Sequence, residues 1–150
     1  MREVSKIILH YTETDMKGQT AALITDWHKK RGFSTIGYHY FIRRNGRVEV
    51  GRKESDVGAH CKGYNSESIG ICLAGKNIFT KAQFAALKQL LADLKKRYPN
   101  ATLHGHREFN PFKECPGFDY SAFVERWNEE DTWSSFLNIL KIFLRMLRRR

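Results

Sequence analysis

One stretch constrains the fold of this chain more than any other: residues 104–119, HGHREFNPFKECPGFD. It places two histidines, a lysine and a cysteine in a polar, loop-like segment directly after a short apolar strand signal at 101–103. A soft cation such as zinc takes nitrogen and sulfur ligands, usually four, and a catalytic site leaves one position open. A fold that uses this stretch for a metal must therefore bring a further donor to it from elsewhere in the sequence.

His10 is the obvious further donor. It ends the apolar run VSKIIL at 4–9, and a buried strand would deliver it to the edge of a sheet. His106 and Cys115 would supply the other two ligands, with His104 as the alternative to His106. Two histidines, one cysteine and water form a known catalytic zinc composition. Zinc lowers the pKa of its bound water from about 15.7 towards about 7, which suits hydrolysis near neutral pH.

Strand and helix patterns alternate along the chain. Apolar, β-branched runs predict strands over 4–11, 36–43, 47–51, 69–74 and 101–104. Helices are predicted over 20–31, from 81 to near Pro99, and over 120–130, with Thr20, the capping box Thr80 to Gln83, and Asp119 at their starts. Asn45-Gly46 favours a type I′ hairpin turn. The pattern predicts an α/β fold with a mixed central β-sheet flanked by helices on both faces.

Four motifs, in order along the chain, carry a family resemblance. They follow His10 and read IGYHYFIRRNGRVEVG at 36–51, VGAHCKGYNSESIGICLAG at 57–75, GHRE at 105–108 and KECPGFD at 113–119. Over roughly residues 3–130 the chain resembles the zinc-dependent N-acetylmuramoyl-L-alanine amidases of the phage lysozyme (endolysin) and peptidoglycan-recognition-protein type. Gly-His-Arg alone would be a weak signal, whereas four motifs in the same order are a strong one.

The resemblance implies a site as well as a fold. It implies Zn²⁺ on His10, His106 and Cys115, with Tyr38 and Lys113 as catalytic residues. Tyr38 would assist proton handling at the attacking water, and Lys113 would stabilise negative charge on the carbonyl oxygen. His60 is expected to line the groove and contact the substrate, the stem peptide or the oxyanion. The family commonly places its second zinc histidine one residue closer to the cysteine than His106 lies to Cys115, and a longer loop near residues 111–112 would absorb the difference.

The implied activity is that of a bacteriolytic peptidoglycan hydrolase. It would cut the amide bond between N-acetylmuramic acid and the L-alanine of the stem peptide. The alternative is a non-catalytic peptidoglycan-binding module, because some members of this fold recognise the polymer without cutting it, typically when the metal cysteine is replaced. Cys115 is present here, which favours the enzyme.

The end of the chain differs in composition from the rest. Residues 132–150 carry five cationic side chains and no acidic one, and on a helix Ser134, Asn138, Lys141, Arg145 and Arg148 would form one polar stripe. A cationic amphipathic helix of this kind lies in a membrane interface rather than crossing it. We therefore divide the chain into an amidase domain, 1–131, and a tail, 132–150, that engages an anionic membrane or lipopolysaccharide. The alternative for the tail is a terminal helix packed on its own domain or on another subunit.

The net charge of +10 implies attraction to an anionic partner. Nucleic acid is disfavoured, because half of that charge lies in the tail and the remainder shows no basic motif interleaved with aromatic residues. Three cysteines without disulfide-framework spacing point to a reducing compartment. With no signal-peptide pattern at the start, we expect a monomer made in the host bacterial cytoplasm that acts at the cell wall after release.

Overall fold

The computed structural model describes residues 2–129 of the protein. Its strands are β1 Lys6–Tyr11, β2 Tyr40–Ile42, β3 Val48–Val50, β4 Ser68–Leu73 and β5 Thr102–Gly105, and its first two helices are α1 Ala21–Lys30 and α2 Lys81–Arg97. A further helix, α3, occupies 121–129. Short 3-10 turns cover Asn65–Glu67 and His106–Glu108. The predicted tail helix at 132–150 lies outside the described residues.

The five strands form one mixed sheet in the order β3-β2-β4-β1-β5. β1 lies between β4 and β5 and runs parallel to both, β2 is parallel to β4, and β3 is antiparallel to β2. Parallel strands are covered on both faces in α/β proteins, which explains why β1 and β4 read as nearly continuous apolar runs. The predicted mixed α/β sheet is confirmed.

Two apolar clusters separate the faces of the sheet. The larger one packs α2 and α3 against one face, and it includes Ile7, Leu9, Leu87, Leu94 and Trp127. The smaller one packs α1 against the other face, around Ile24, Phe41 and Cys72. Helices therefore flank the sheet on both sides, as predicted. None of the helices within residues 2–129 has the length and apolar character needed to span a bilayer.

The predicted helix caps at Thr20 and Thr80 are confirmed. The Thr20 hydroxyl accepts a hydrogen bond from Leu23 N (3.1 Å) at the start of α1. Thr80 and Gln83 form a complete capping box: Gln83 N donates to the threonine hydroxyl and Thr80 N donates to the glutamine side chain. These side chains satisfy backbone N–H groups that the first turn of a helix leaves without partners.

The predicted turn type of the β2–β3 hairpin is wrong. A type I′ turn requires positive φ at both central residues, yet only Gly46 is left-handed there (φ 83°). Gly46 N donates to Arg43 O (2.9 Å), and Arg43 N donates to Arg47 O (2.9 Å). The pairing register thus leaves a three-residue loop, in which the left-handed glycine follows the turn and Asn45 Oδ1 accepts from Arg47 N.

Candidate active site

The predicted metal donors meet at one edge of the sheet. His10 lies near the carboxyl end of β1, and His106 directly follows the carboxyl end of the neighbouring parallel strand β5. Ligands in open α/β sheets bind at this edge, outside the carboxyl ends of the strands. The donor atoms of His10, His106 and Cys115 all lie within 4.8 Å of one another.

The nitrogen and sulfur donors of this group suit zinc, and one donor pair has the separation that a tetrahedral zinc site requires. With Zn–N bonds of about 2.0–2.1 Å and Zn–S bonds of about 2.3 Å, a tetrahedral angle separates nitrogen from sulfur by about 3.6 Å. His10 Nδ1 and Cys115 Sγ are 3.6 Å apart. His10 and Cys115 are almost fully buried, whereas His106 is partly exposed and faces the cavity described below. Such a group leaves one side open, as a catalytic site requires.

Burial sets the protonation of the donors. It lowers the pKa of His10 well below the ordinary value, and the neighbouring His60 and His106 lower it further. Burial, followed by the charge of Lys113, lowers the pKa of His106. Both imidazoles are therefore neutral near pH 7, as metal ligation requires. Burial raises the pKa of the Cys115 thiol to about 12, so a cation that binds here must displace the thiol proton.

The turn after β5 places His106 in the group of candidate metal ligands and keeps His104 out of it. Arg107 N donates to Cys115 O (2.8 Å), which closes the loop between the two candidate ligands. Glu108 accepts hydrogen bonds from Gly105 N (2.9 Å) and Tyr120 Oη (2.5 Å). The two nitrogens of His104 are occupied elsewhere, Nδ1 by Glu108 and Nε2 by the Thr102 hydroxyl, each at 2.7 Å. The structure thus brings His106, and not His104, into the group.

Tyr38 and Lys113 lie beside the donors. The Tyr38 ring centroid is 5.1 Å from that of His10. Burial raises the pKa of Tyr38 well above 10, so the phenol stays protonated and acts as a donor. Lys113 Nζ lies 3.5 Å from a carboxylate oxygen of Glu13 at the half-exposed rim.

A cavity of about 230 Å³ opens over the group. His10, Tyr38, His60, His106, Lys113 and Cys115 all line it. A neighbouring cavity of about 670 Å³ shares Phe33, Ala59, His60 and His106 with it, so the two form a continuous groove. The six residues singled out in the sequence thus converge on one groove.

Sequence reasoning missed several groove residues on and after α1. Trp27, His28, Arg31 and Phe33 line the first cavity. His28 is buried, its Nδ1 accepts from Gly37 N (2.8 Å), and burial followed by the charges of Arg31 and Arg52 lowers its pKa to about 4. Trp27 is partly buried and His28 is buried, and no pattern in the sequence indicated that this part of α1 lines a groove.

His60 lies in the groove wall. It lines both cavities, and its Nδ1 lies 2.9 Å from His10 Nε2. Burial, followed by the charges of His39 and His106, lowers the pKa of His60 to about 3, so the ring is neutral. Its predicted place in the groove agrees with the structure, but its nearest polar partner there is a candidate metal ligand.

A mixed, helix-flanked sheet with a His-His-Cys group under an open groove defines an α/β protein with a site that could hold a catalytic metal. Residues 1–118 match the model of the N-acetylmuramoyl-L-alanine amidase family. The chain belongs to this family, and by this membership the protein is an N-acetylmuramoyl-L-alanine amidase.

Individual relatives agree with this assignment. The chain is 41% identical over 139 residues to an endolysin of Klebsiella phage KP32, covering 87% of this chain and 89% of that protein. It is 44% identical over 116 residues to the endolysin of Escherichia phage T7, and the match covers 72% of this chain and 74% of that protein.

Solved structures share the fold. N-acetylmuramoyl-L-alanine amidase LysC from Clostridium intestinale URNW superposes with a TM-score of 0.75 at 31% identity, over 85% of each chain. Wild-type Drosophila PGRP-LB superposes with a TM-score of 0.73 at 28% identity, over 85% of this chain and 82% of that chain.

Proposed function

We propose that the protein is a zinc-dependent endolysin that hydrolyses the amide bond between the lactyl group of N-acetylmuramic acid and the L-alanine of the stem peptide. The observation that carries the proposal is the group of His10, His106 and Cys115, whose donor atoms lie within 4.8 Å of one another and which opens onto a groove. Its His10 Nδ1 and Cys115 Sγ atoms have the 3.6 Å separation of a tetrahedral zinc site. Zinc bound there would supply an activated water and a Lewis acid for the scissile carbonyl.

Each protein side chain has a separate task in this scheme. The water oxygen adds to the carbonyl carbon, the C–N bond breaks, and the alanine nitrogen leaves with a proton. Tyr38, which stays protonated and lies beside His10, orients the attacking water and donates a hydrogen bond. Lys113, at the rim of the same cavity, places its ammonium near the carbonyl oxygen where negative charge develops.

Product analysis on purified peptidoglycan tests this function. We expect new N-terminal alanine to appear with zinc and to disappear with a chelator or in Cys115→Ser. Cys61→Ser is the matched control, because Cys61 is also buried but lies outside the donor group, and it should retain activity. New reducing sugar ends would instead show a glycosidase. Binding without cleavage by zinc-loaded protein would show a non-catalytic recognition module.

The tail has a second proposed role. Residues 132–150 form a cationic segment that engages an anionic membrane or lipopolysaccharide, while residues 1–131 carry the amidase. The endolysin relatives support synthesis in the host cytoplasm and action at the cell wall after release. That the protein acts as a monomer is a further part of the proposal.

Truncation after residue 131 tests the division into two parts. The truncated protein should retain its rate on purified peptidoglycan but lyse intact Gram-negative cells more slowly. Replacing the five basic tail residues by glutamine serves as the control that keeps the length. Equal lysis by the truncated protein would refute a role of the tail at the envelope.

A further inference from the structure

We infer that His60 is a positioning residue, which holds His10 in the one tautomer that can ligate a metal through Nδ1. This inference rests on the proposed metal site and assigns His60 a role other than substrate contact. It follows from a chain of hydrogen bonds that runs from a backbone carbonyl to the candidate ligand.

The donor and acceptor roles along this series of hydrogen bonds are set at the end that lies farthest from His10. The Ser68 hydroxyl donates its single hydrogen to Tyr64 O (2.7 Å). It can therefore only accept from His60 Nε2, which lies 3.3 Å away. A neutral imidazole carries one N–H, so His60 Nδ1 must be the acceptor.

The same reasoning applies to the next hydrogen bond, which joins His60 to the candidate ligand His10. His60 Nδ1 lies 2.9 Å from His10 Nε2, and because the former accepts, the latter must donate. His10 then carries its hydrogen on Nε2 and presents a bare Nδ1 lone pair. That nitrogen is the one that lies 3.6 Å from Cys115 Sγ. Metal-bound histidines generally donate their other ring N–H to an acceptor that fixes the tautomer and ring orientation.

The His60 ring is held in place by close backbone contacts. A Cβ added at Gly70 would lie 2.6 Å from its Cγ, and one added at Gly58 would lie 2.5 Å from its Cδ2. Asn65 Oδ1 accepts from His60 N (2.8 Å) and from Cys61 N (2.9 Å), which ties down the backbone beneath the ring. Both glycines are thus required for the ring to approach the sheet closely enough to reach His10.

Zinc affinity of a shape-matched pair of variants tests the inference. Asparagine and leucine have nearly the same shape, but only the asparagine amide oxygen can accept a hydrogen bond where His60 Nδ1 does. The loss of such a partner typically costs about 10–100-fold in metal affinity. We expect His60→Leu to lose zinc affinity on this scale, measured by competition with a chromophoric chelator, and His60→Asn to bind clearly more tightly than His60→Leu.

Kinetics at saturating zinc separate positioning from substrate contact. His60→Leu should lower kcat and leave KM nearly unchanged. A raised KM with wild-type zinc affinity would instead make His60 a substrate contact and overturn the inference. If the wild type itself bound no zinc, both this inference and the proposed cofactor would fail, whereas a zinc-binding wild type with equally tight His60→Leu would refute the role of His60 alone.

A spectroscopic test on the wild type avoids any folding defect of a variant. Imidazole ¹⁵N shifts of the zinc-loaded protein should show a protonated Nε2 on both His10 and His60. Ser68→Ala, which removes the acceptor for His60, should weaken zinc binding, while Ser66→Ala on the exposed side of the same turn should not. A protonated His60 Nδ1 in the wild type would overturn the inference.

Discussion

Gly70→Ala should weaken zinc binding through a residue that is not a ligand. The new Cβ would lie 2.6 Å from the His60 ring, whereas ordinary van der Waals contact begins at 3.4 Å, so the ring must retreat by roughly 0.8 Å. Gly58 packs against the same ring and blocks an easy retreat. A shift of that size takes a 2.9 Å hydrogen bond to His10 to or beyond the usual 3.2 Å limit.

Gly70→Ala should lower both the unfolding free energy and the zinc affinity. Overpacking costs about 1–3 kcal/mol of unfolding free energy, and the disturbed His60–His10 contact should cost about 10–100-fold in zinc affinity. The assays are urea unfolding of the metal-free protein and chelator competition for zinc. Leu91→Ala is the control, because Leu91 lies on the buried face of α2 in the larger apolar cluster. The Leu91→Ala substitution should lower the unfolding free energy by about 2–5 kcal/mol without changing zinc affinity. Gly70→Ala with wild-type zinc affinity would refute the reasoning.

Three further predictions concern catalysis and stability. Tyr38→Phe should lower kcat about 10²–10⁴-fold with little change in KM, in a steady-state amidase assay at saturating zinc; an unchanged kcat would remove Tyr38 from the mechanism. Trp127→Phe should cost about 1–3 kcal/mol in urea unfolding, because its Nε1–H donates to the carbonyl of residue 101 (2.8 Å) inside the core; a stability equal to wild type would contradict this. Burial alone would raise the pKa of Glu54, but hydrogen bonds from Arg97, Tyr40 and Tyr98 outweigh burial and hold it below 4.5. The contribution of Glu54 to stability is therefore fully present above about pH 4.5 and is lost as the pH falls through the lower folded-state pKa. Glu54→Gln should be less stable than wild type at pH 7, and the difference should shrink below pH 4.5; a difference independent of pH would show that the charge of Glu54 is not involved.

Local patterns predicted much of the fold. Thr20 and Thr80 mark helix starts because their side chains meet needs that arise within one helical turn. The predicted type of the hairpin turn was wrong because strand pairing, and not the Asn-Gly pair alone, sets the loop length. An isolated glycine inside a strand pattern, as in Ile-Gly-Ile at 69–71, indicates close backbone approach. That signal could have pointed to Gly70, but not to the ring that approaches it.

The sequence by itself determined the elements, their order and the candidate donors His10 and Cys115, because periodicity, capping and motif spacing act over short distances along the chain. Only the tertiary structure decided that His106 rather than His104 faces His10, since the His104 ring donates from Nδ1 to Glu108 and accepts at Nε2 from the Thr102 hydroxyl. It also decided that His60 contacts His10, 50 residues away. Such pairings follow from parallel strand register and loop packing, which no local pattern encodes.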